Sequence, residues 1–439
     1  MEEKRNIFQT VVLGIFIFST VVAVLVFASL SAGGGKEDIG PVVMWGSVDS
    51  VIIDSLIGTL KDQDSRVGNI TYREISAERF QQELVEALAN GTGPDLFILE
   101  QSNLLRHWNK VLPLPYNTVM SEREFKDTFI DQSEIFLSEA GIRAMPLSVD
   151  PLVLYWNRDI FAQSGFSQAP KFWDELFTIA ERVTERDKAN NVNRAAIAFG
   201  EYDNVNHAKD ILATLIMQAG GEVVARSADG QLVARLSSAP GAADIAPTQT
   251  ALRFYTEFAD PVKSVYTWNR SLPNSFDAFV QGDLALYVGY ASEVRAIQAR
   301  NENLNFDVAS LPQIRAGEQK RVLTFGTLYA LAVPRTANNV NGGTKMALYL
   351  TSEKPSQLFS ELSQIPSPRR DVLSDTPRDP LALIFRNSAL ITRAWLDPDP
   401  QATGTIFRRM VGDVTSGARR LSDTIQRADQ ELRVLMQNQ

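Results

Sequence analysis

Segments with strand spacing and helix spacing alternate between residues 42 and 99, and this order restricts the fold more than any other feature of the sequence. Val-Val-Met-Trp at 42–45 and Asp-Leu-Phe-Ile-Leu at 95–99 are short apolar runs typical of buried strands. Between them lie an alternating strand pattern at 70–75 and two stretches whose apolar residues recur at helical spacing. This strand–helix–strand–helix–strand order requires parallel strands joined by right-handed crossovers, so the sequence predicts an α/β lobe.

The predicted strands also indicate where a ligand would bind. In open parallel sheets, ligands lie beyond the carboxyl ends of the strands. Trp45 occupies that end of the first predicted strand, and Glu100 directly follows the third. We therefore expect both residues to face a ligand.

A long apolar run near the N-terminus differs from the rest of the chain. Residues 7–30 are 24 residues without a charged side chain. A helix of that length extends about 36 Å, enough to cross a hydrocarbon core of about 30 Å. The apolar part of a secretory signal peptide is shorter, about 7–15 residues, so we expect an uncleaved transmembrane helix. Lys4 and Arg5 precede the run, which favours a cytoplasmic N-terminus and an extracellular location for the bulk of the chain.

Composition excludes several classes of function. The 439 residues include 43 Lys+Arg and 52 Asp+Glu, a formal net charge of −9, which argues against a nucleic-acid partner. The chain has no cysteine, so disulfides, thiolate nucleophiles, zinc ribbons and iron–sulfur clusters are excluded. Its two histidines, His107 and His207, leave little for a metal site or a Ser-His-Asp triad. We expect no metal and no cofactor.

Motifs of catalysis are also missing from the sequence. It contains no H-E-x-x-H, no G-x-S-x-G and no serine three residues before a lysine. Asp397 and Asp399 form an acidic pair, but their Asp-Pro-Asp-Pro setting favours a surface turn. The sequence therefore shows none of these catalytic signatures.

Aromatic residues at strand ends and in loops are the remaining candidates for a binding site. Large aromatic side chains often belong to the hydrophobic core, and that alternative stays open for each of them. They could also bind sugars, whose apolar C–H faces stack on aromatic rings while their hydroxyls need a few polar partners. The set comprises Trp45, Tyr155, Trp156, Trp268, Tyr290, Phe325, Tyr329 and Trp395.

Six segments match motifs of one known family in order and in spacing. They are Gly-Thr-Gly-Pro-Asp-Leu at 91–96, similar to G-x-x-P-D-[LIV]; the crossing-strand motif at 145–161; the P-x-T-W-D-E-L motif at 170–176; the F-x-x-G-x-A-A-M motif at 279–290; and the segments 308–312 and 326–334. Together they resemble the extracellular solute-binding proteins of ABC importers, specifically the sugar-binding group related to maltose-binding protein. The resemblance covers nearly everything after residue 40.

The resemblance implies an α/β, two-lobed, periplasmic-binding-protein-like type II fold with hinge strands, preceded by one transmembrane helix. Residues 1–38 would form the cytoplasmic stub, membrane helix and linker. The first lobe would comprise 40–148 and 285–325, and the second 152–283 and 328–439. Solute binding between the lobes would close them without any chemical reaction, and the closed form would meet a permease.

The resemblance further implies a monomer that binds a small solute, a carbohydrate in the first instance, and delivers it to ABC permease subunits. Oligopeptides, polyols and compatible solutes stay open as ligands. Two alternatives to transport also stay open: an anchored glycan-acting enzyme, and a sensor or adhesive ectodomain of the same fold. The residues expected to bind the solute are Trp45, Glu100, Asp150, Trp268, Tyr290 and Trp395.

Overall fold

The computed structural model describes residues 39–227, 230–238, 246–315 and 322–437. The predicted membrane helix at 7–30 lies outside these ranges. Among the residues described, no helix is long and apolar enough to cross a membrane.

Strands and helices alternate along most of the described chain. The strands are β1 (Val42–Gly46), β2 (Ile70–Glu74), β3 (Leu96–Glu100), β4 (Leu137–Ser138), β5 (Gly141–Ile142), β6 (Met145–Asn157), β7 (Glu185–Arg186), β8 (Val192–Ile197), β9 (Val224–Arg226), β10 (Leu232–Ala234), β11 (Leu284–Tyr290), β12 (Phe306–Ser310), β13 (Thr324–Ala332) and β14 (Thr392–Arg393). The helices are α1 (Ser50–Leu60), α2 (Ala77–Ala89), α3 (Glu122–Thr128), α4 (Arg158–Gln163), α5 (Glu175–Val183), α6 (Ala208–Gln218), α7 (Pro247–Glu257), α8 (Ser275–Gln281), α9 (Val294–Arg300), α10 (Val340–Leu350), α11 (Glu353–Ser363), α12 (Arg370–Ser374), α13 (Pro380–Leu390), α14 (Pro400–Thr415) and α15 (Leu421–Gln437).

The predicted parallel unit at the start of the chain is confirmed. Strand β1 pairs in parallel with β2 on one side and with β3 on the other. Helices α1 and α2 connect these strands, and the side chain of Asp49 caps α1 by accepting a hydrogen bond from the Val51 amide. The main sheet continues in the order β2-β1-β3-β13-β6-β11-β8-β7, with β12 beside β6 and β14 beside β13.

Two hydrophobic cores form around this sheet, which gives the chain two lobes. The first core contains buried residues between Ile39 and Val149, and again from Leu328 onward. The second core contains buried residues between Leu152 and Phe325 and then the C-terminal helices, as far as Leu432. We call the parts of the chain around these cores the first and the second lobe.

The packing divides the returning segments differently from the prediction. Residues 285–325 were expected in the first lobe, yet strand β11 pairs with β6 and β8 and packs in the second core. Residues 328–439 were expected in the second lobe, yet Leu328 to Leu373 pack in the first core, and the second resumes at Phe385. The physical reason is that β11 pairs with the part of β6 that lies in the second core, whereas β6 and β13 each contribute residues to both cores.

A buried carboxylate explains the Gly-Pro-Asp motif before β3. Asp95 accepts hydrogen bonds from the backbone amides of Val43, at 2.9 Å, and Asn339, at 2.7 Å. It therefore joins β1 to the start of α10. Helix α10 approaches this point so closely that a Cβ atom on Gly343 would lie 2.4 Å from the carbonyl oxygen of Asp95.

Substituting Gly343 should test this close approach. We expect Gly343→Ala to lower the free energy of unfolding by about 1–3 kcal/mol, because the added methyl group meets backbone that cannot move aside. Gly58→Ala in α1 is the matched control, since nothing lies within 4 Å of a Cβ there. It should raise stability by about 0.5–1 kcal/mol through helix propensity. Urea unfolding of both variants makes the comparison, and equal effects would contradict it.

Candidate functional site

A small cavity lies where β3 ends, β13 crosses and α6 begins. Its volume is about 100 Å³. The residues around it come from both lobes and from the crossing strands; they are Glu100, Gln101, Ser102, Lys209, Asp210, Tyr290, Phe325, Thr327, Trp395, Asp397 and Pro400. We call this space the cleft.

The wall from the first lobe is built by the residues that follow β3. Glu100 accepts a hydrogen bond from the Ser102 hydroxyl. Burial raises the pKa of Glu100 above its usual range; Asp210 and Asp397 add to this, whereas Lys209 opposes it. Gln101 turns away from Glu100, and its side-chain oxygen accepts a hydrogen bond from the Leu328 amide at 2.6 Å. Glu100 therefore stays available to a ligand, while Gln101 fixes the loop to β13.

The wall from the second lobe contains a buried ion pair. Lys209 Nζ donates to Asp397 Oδ2 at 2.8 Å, and its ammonium lies 5.8 Å from the centroid of the Trp395 ring. Thr403 Oγ1 lies 2.9 Å from each oxygen of the Asp397 carboxylate. The ion pair with Asp397 holds the Lys209 ammonium near the face of the Trp395 ring. A positive charge and an aromatic surface therefore lie on the same wall of the cleft.

A surface turn was predicted at Asp397 and Asp399, and this prediction is wrong for Asp397. Asp397 is only 3% exposed, because the start of α14 packs against Lys209 and encloses the carboxylate. Asp399 instead caps α14 and accepts hydrogen bonds from the amides of Gln401 and Ala402. The Asp-Pro-Asp-Pro segment thus provides one cleft residue and one helix cap.

Tyr290 links the second lobe to a crossing strand. Its hydroxyl donates to Asp210 Oδ2 at 2.9 Å and accepts from Thr327 Oγ1 at 3.0 Å. Asp210 belongs to α6 and Thr327 to β13. A movement of one lobe relative to the other would therefore act on Tyr290.

The structure brings three of the six predicted binding residues together. Glu100, Tyr290 and Trp395 all line the cleft. Asp150 lies beside it on β6, opposite Thr327, but its Oδ1 accepts a hydrogen bond from the Ser292 amide at 3.1 Å. Asp150 thus holds the turn after β11 against the crossing strand.

Trp45 and Trp268 do not line the cleft. Trp45 lies in the first core, with the Arg73 guanidinium 4.5 Å from its ring centroid on the neighbouring strand β2. Trp268 is 1% exposed in the second core, where its amide donates to the Phe258 carbonyl. The position of a tryptophan at a strand end or in a loop does not show on which side of the backbone its ring will pack.

Lys209, Asp210, Asp397 and Thr327 are cleft residues that the sequence prediction missed. A pair of charged residues in the first turn of a helix is the signal that could have indicated Lys209 and Asp210. Asp397 and Thr327 gave no such signal, because their neighbours come from distant parts of the chain. Within the described ranges, no group of three or more acidic or histidine side chains could hold a metal ion.

A larger cavity, of about 640 Å³, lies among α9, α11, α12 and α13. No strand end contributes to its lining, and Phe385 is its only aromatic side chain. The cleft, in contrast, lies at the carboxyl end of β3, where α/β sheets bind ligands. We therefore place the candidate site in the cleft.

Comparison with known proteins identifies a family and a fold. The sequence profile of the family described as bacterial extracellular solute-binding protein matches residues 68–357. A protein of Brucella abortus described as a binding protein is 29% identical over 106 residues, which are 23% of this chain and 25% of that protein. The match thus covers about a quarter of the curated relative's length.

Solved structures of sugar-binding proteins share the fold. A cyclo/maltodextrin-binding protein complexed with maltotetraose aligns with a TM-score of 0.70 at 16% identity, covering 92% of this chain and 97% of that one. A cyclic α-maltosyl-1,6-maltose binding protein from Arthrobacter globiformis gives 0.74 at 16% identity, covering 91% and 100%. A solute-binding protein from Thermotoga lettingae bound with α-D-tagatose gives 0.66 at 20% identity, covering 90% and 100%.

Asp150 makes a pH-dependent contribution to stability that can be measured. Burial raises its pKa to about 7, against about 3.9 in an unfolded chain. Its contribution is therefore fully present below about pH 4 and is lost as the pH rises through 7. Asp150→Asn keeps an oxygen that can accept from Ser292 and never ionises. Relative to the native protein, it should gain roughly 2–4 kcal/mol of unfolding free energy between pH 4 and pH 8.

Urea unfolding at the two pH values measures this gain. Asp127→Asn, at an exposed position of α3, is the control and should change stability by less than about 0.5 kcal/mol at either pH. If pH changes the stability of both variants equally, Asp150 does not titrate as a buried carboxyl group with a raised pKa.

Proposed function

This chain belongs to the bacterial extracellular solute-binding protein family, and from that membership we propose that it binds a sugar or an oligosaccharide in the cleft for delivery to an ABC permease. The observation that carries the proposal is the composition of the cleft. Aromatic side chains, Tyr290, Phe325 and Trp395, surround the same small space as carboxylates and an ammonium group. Sugars present apolar C–H faces and hydroxyls, so they need both kinds of partner.

Each wall offers the solute a different contact. Trp395 would stack on a sugar ring, while Glu100 and Asp210 would accept hydrogen bonds from hydroxyls. Lys209 would donate to a ring or hydroxyl oxygen. Structures that share the fold include complexes with maltotetraose and with α-D-tagatose, which supports a carbohydrate as the ligand.

Of the other predicted residues, Asp150, Trp45 and Trp268 have supporting roles in this proposal. Asp150 would stabilise the crossing strands, and the two tryptophans would stabilise the lobe cores. The proposed binding set is therefore Glu100, Lys209, Asp210, Tyr290 and Trp395.

Solute capture would proceed by closure of the two lobes about β6 and β13. We propose that the first lobe comprises 39–149 and 328–374, and the second the described residues of 152–325 together with 385–437. Glu100 belongs to the former, and Lys209, Asp210 and Trp395 to the latter. A solute that contacts both walls binds the closed form more tightly than the open form, and this difference in affinity drives closure. No bond needs to be made or broken.

Residues 7–30 would anchor the protein, with its bulk outside the cell. The support is the run of 24 uncharged residues, preceded by Lys4 and Arg5. Protease added to intact cells should degrade the folded part, and mass spectrometry of the intact protein should still find residues 7–30. A mature form that begins near Ala32 would contradict the anchor.

The glycan-acting enzyme is the second candidate, because carboxylates from both lobes, Glu100 and Asp210, line one cavity. Hydrolysis would require such a pair to act on a bound glycoside. Incubation with maltotetraose followed by mass spectrometry of the sugar distinguishes the candidates: intact sugar supports binding, and shortened sugar supports the enzyme. A sensor or adhesive ectodomain would bind solute in the same way but would need no permease.

Trp395→Ala should weaken sugar binding. Loss of a stacking ring is worth roughly 1–3 kcal/mol, so we expect the dissociation constant for maltotetraose to rise about 5- to 150-fold. Calorimetric titration well below the melting temperature makes the measurement. Trp108→Ala is the control, since Trp108 packs against Arg143 in the first lobe, away from the cleft. Equal affinity of Trp395→Ala and the native protein would remove Trp395 from the site, and no binding by the native protein of any sugar tested would contradict the proposed function.

A further inference from the structure

His207 begins helix α6 in an unusual backbone conformation. Its φ of 58° and ψ of 24° lie in the left-handed region, which residues other than glycine seldom adopt. The imidazole Nε2 lies 2.5 Å from Oε1 of Glu293, the residue that directly precedes α9. The side chains of both residues are about 20% exposed. The contact therefore joins the N-termini of two helices of the second lobe.

The same pair continues to the cleft through Tyr290. The other oxygen of Glu293 accepts a hydrogen bond from the Tyr287 hydroxyl at 2.6 Å, which holds the carboxylate in place. The His207 ring meets the Tyr290 ring edge to face, with centroids 4.7 Å apart. Tyr290 is the residue whose hydroxyl bridges Asp210 and Thr327. Contacts thus run without a gap from Glu293 to a crossing strand.

We propose that His207, paired with Glu293, is a positioning residue that fixes Tyr290 in the cleft and makes solute binding sensitive to pH. This inference rests on the proposed function and adds regulation to the same site. Glu293 holds a charged imidazolium more tightly than a neutral imidazole, because a hydrogen bond between opposite charges is the stronger one. When His207 is neutral, its ring supports the Tyr290 ring less firmly, and the bridge between Asp210 and Thr327 weakens.

Charged groups from several elements face His207. They are Glu293 before α9, Asp210 on α6 and Asp150 on β6, with the hydroxyls of Tyr287 and Tyr290 on β11 nearby. Burial lowers the pKa of His207, but the charge of Glu293, its hydrogen bond and the charges of Asp210 and Asp150 together outweigh burial, so the pKa lies above the ordinary 6.5. The charged form is thus present at pH 6, and its effect is lost as the pH rises through this raised pKa.

Nuclear magnetic resonance of the full chain can follow this titration without any ligand. With ¹³C-labelled histidine only two imidazole signals arise, and His107→Asn identifies them. Burial lowers the pKa of His107 to about 4, so its signal should stay constant between pH 5.5 and 9. The His207 signal should titrate above pH 6.5, and the ring signal of Tyr290, identified with Tyr290→Phe, should shift with the same midpoint. A Tyr290 signal that ignores the His207 midpoint would overturn the proposal.

His207→Asn and Glu293→Gln test whether His207 positions Tyr290 or only stabilises the fold. His207→Asn keeps a residue that tolerates the left-handed conformation but cannot titrate. It should make the Tyr290 signal independent of pH and weaken maltotetraose binding about 5- to 10-fold at pH 6, with little change at pH 9. Glu293→Gln should lower the His207 midpoint, and it serves equally if His207→Asn does not fold. Asp150→Asn, which removes a buried carboxyl group whose pKa is raised to about 7, should leave the coupling between His207 and Tyr290 in place.

Two results would overturn the proposal. One is an affinity for maltotetraose that varies with pH in the same way in the native protein and in His207→Asn. The other is a titration midpoint of His207 that Glu293→Gln leaves unchanged. If no sugar binds at all, the proposed function fails, while the titration of His207 and Tyr290 still decides whether the pair positions the ring.

Discussion

Strands β6 and β13 run side by side from one hydrophobic core to the other, and the site depends on this single antiparallel pairing. Their hydrogen bonds fix Asp150 opposite Thr327 at the point where both strands leave the first lobe. Glu100 reaches the cleft because it follows β3, the neighbour of β13, and Tyr290 reaches it through its contact with Thr327 on the crossing itself.

The sequence predicted the local elements well where periodicity alone decides them. Strands β1, β2 and β3 and the two helices between them lie within a few residues of their predicted positions. The resemblance assigned residues 285–325 to the first lobe, whereas β11 packs in the second core. The apolar pattern of the strand could not decide between these arrangements, because it does not reveal which neighbour the strand will pair with. A strand buried on both faces has the same composition whether it crosses between lobes or stays within one.

Only part of the candidate site was predicted, because the sequence does not show which distant residues come together. Glu100 could be placed because it follows a strand whose direction the βαβ order fixes. Trp268 could not, since a tryptophan in a loop has similar surroundings in sequence whether it packs inward or faces a ligand. Asp397 was missed because its partner, Lys209, is 188 positions away in the chain. Charge pairing across such a separation is a property of the fold and not of any local pattern.

The distribution of carboxylates in the cleft also affects the proposed closure of the two lobes. Glu100 projects from one lobe, and Asp210 and Asp397 from the other, with Lys209 as the single cation among them. Like charges brought together away from water repel strongly, and salt screens buried groups poorly. If the lobes close as proposed, Glu100 and Asp210 would repel each other across the cleft whenever both are ionised, because Lys209 is already paired with Asp397. A solute whose hydroxyls donate to both carboxylates would relieve this repulsion, so the solute itself would complete the charge balance of the closed cleft.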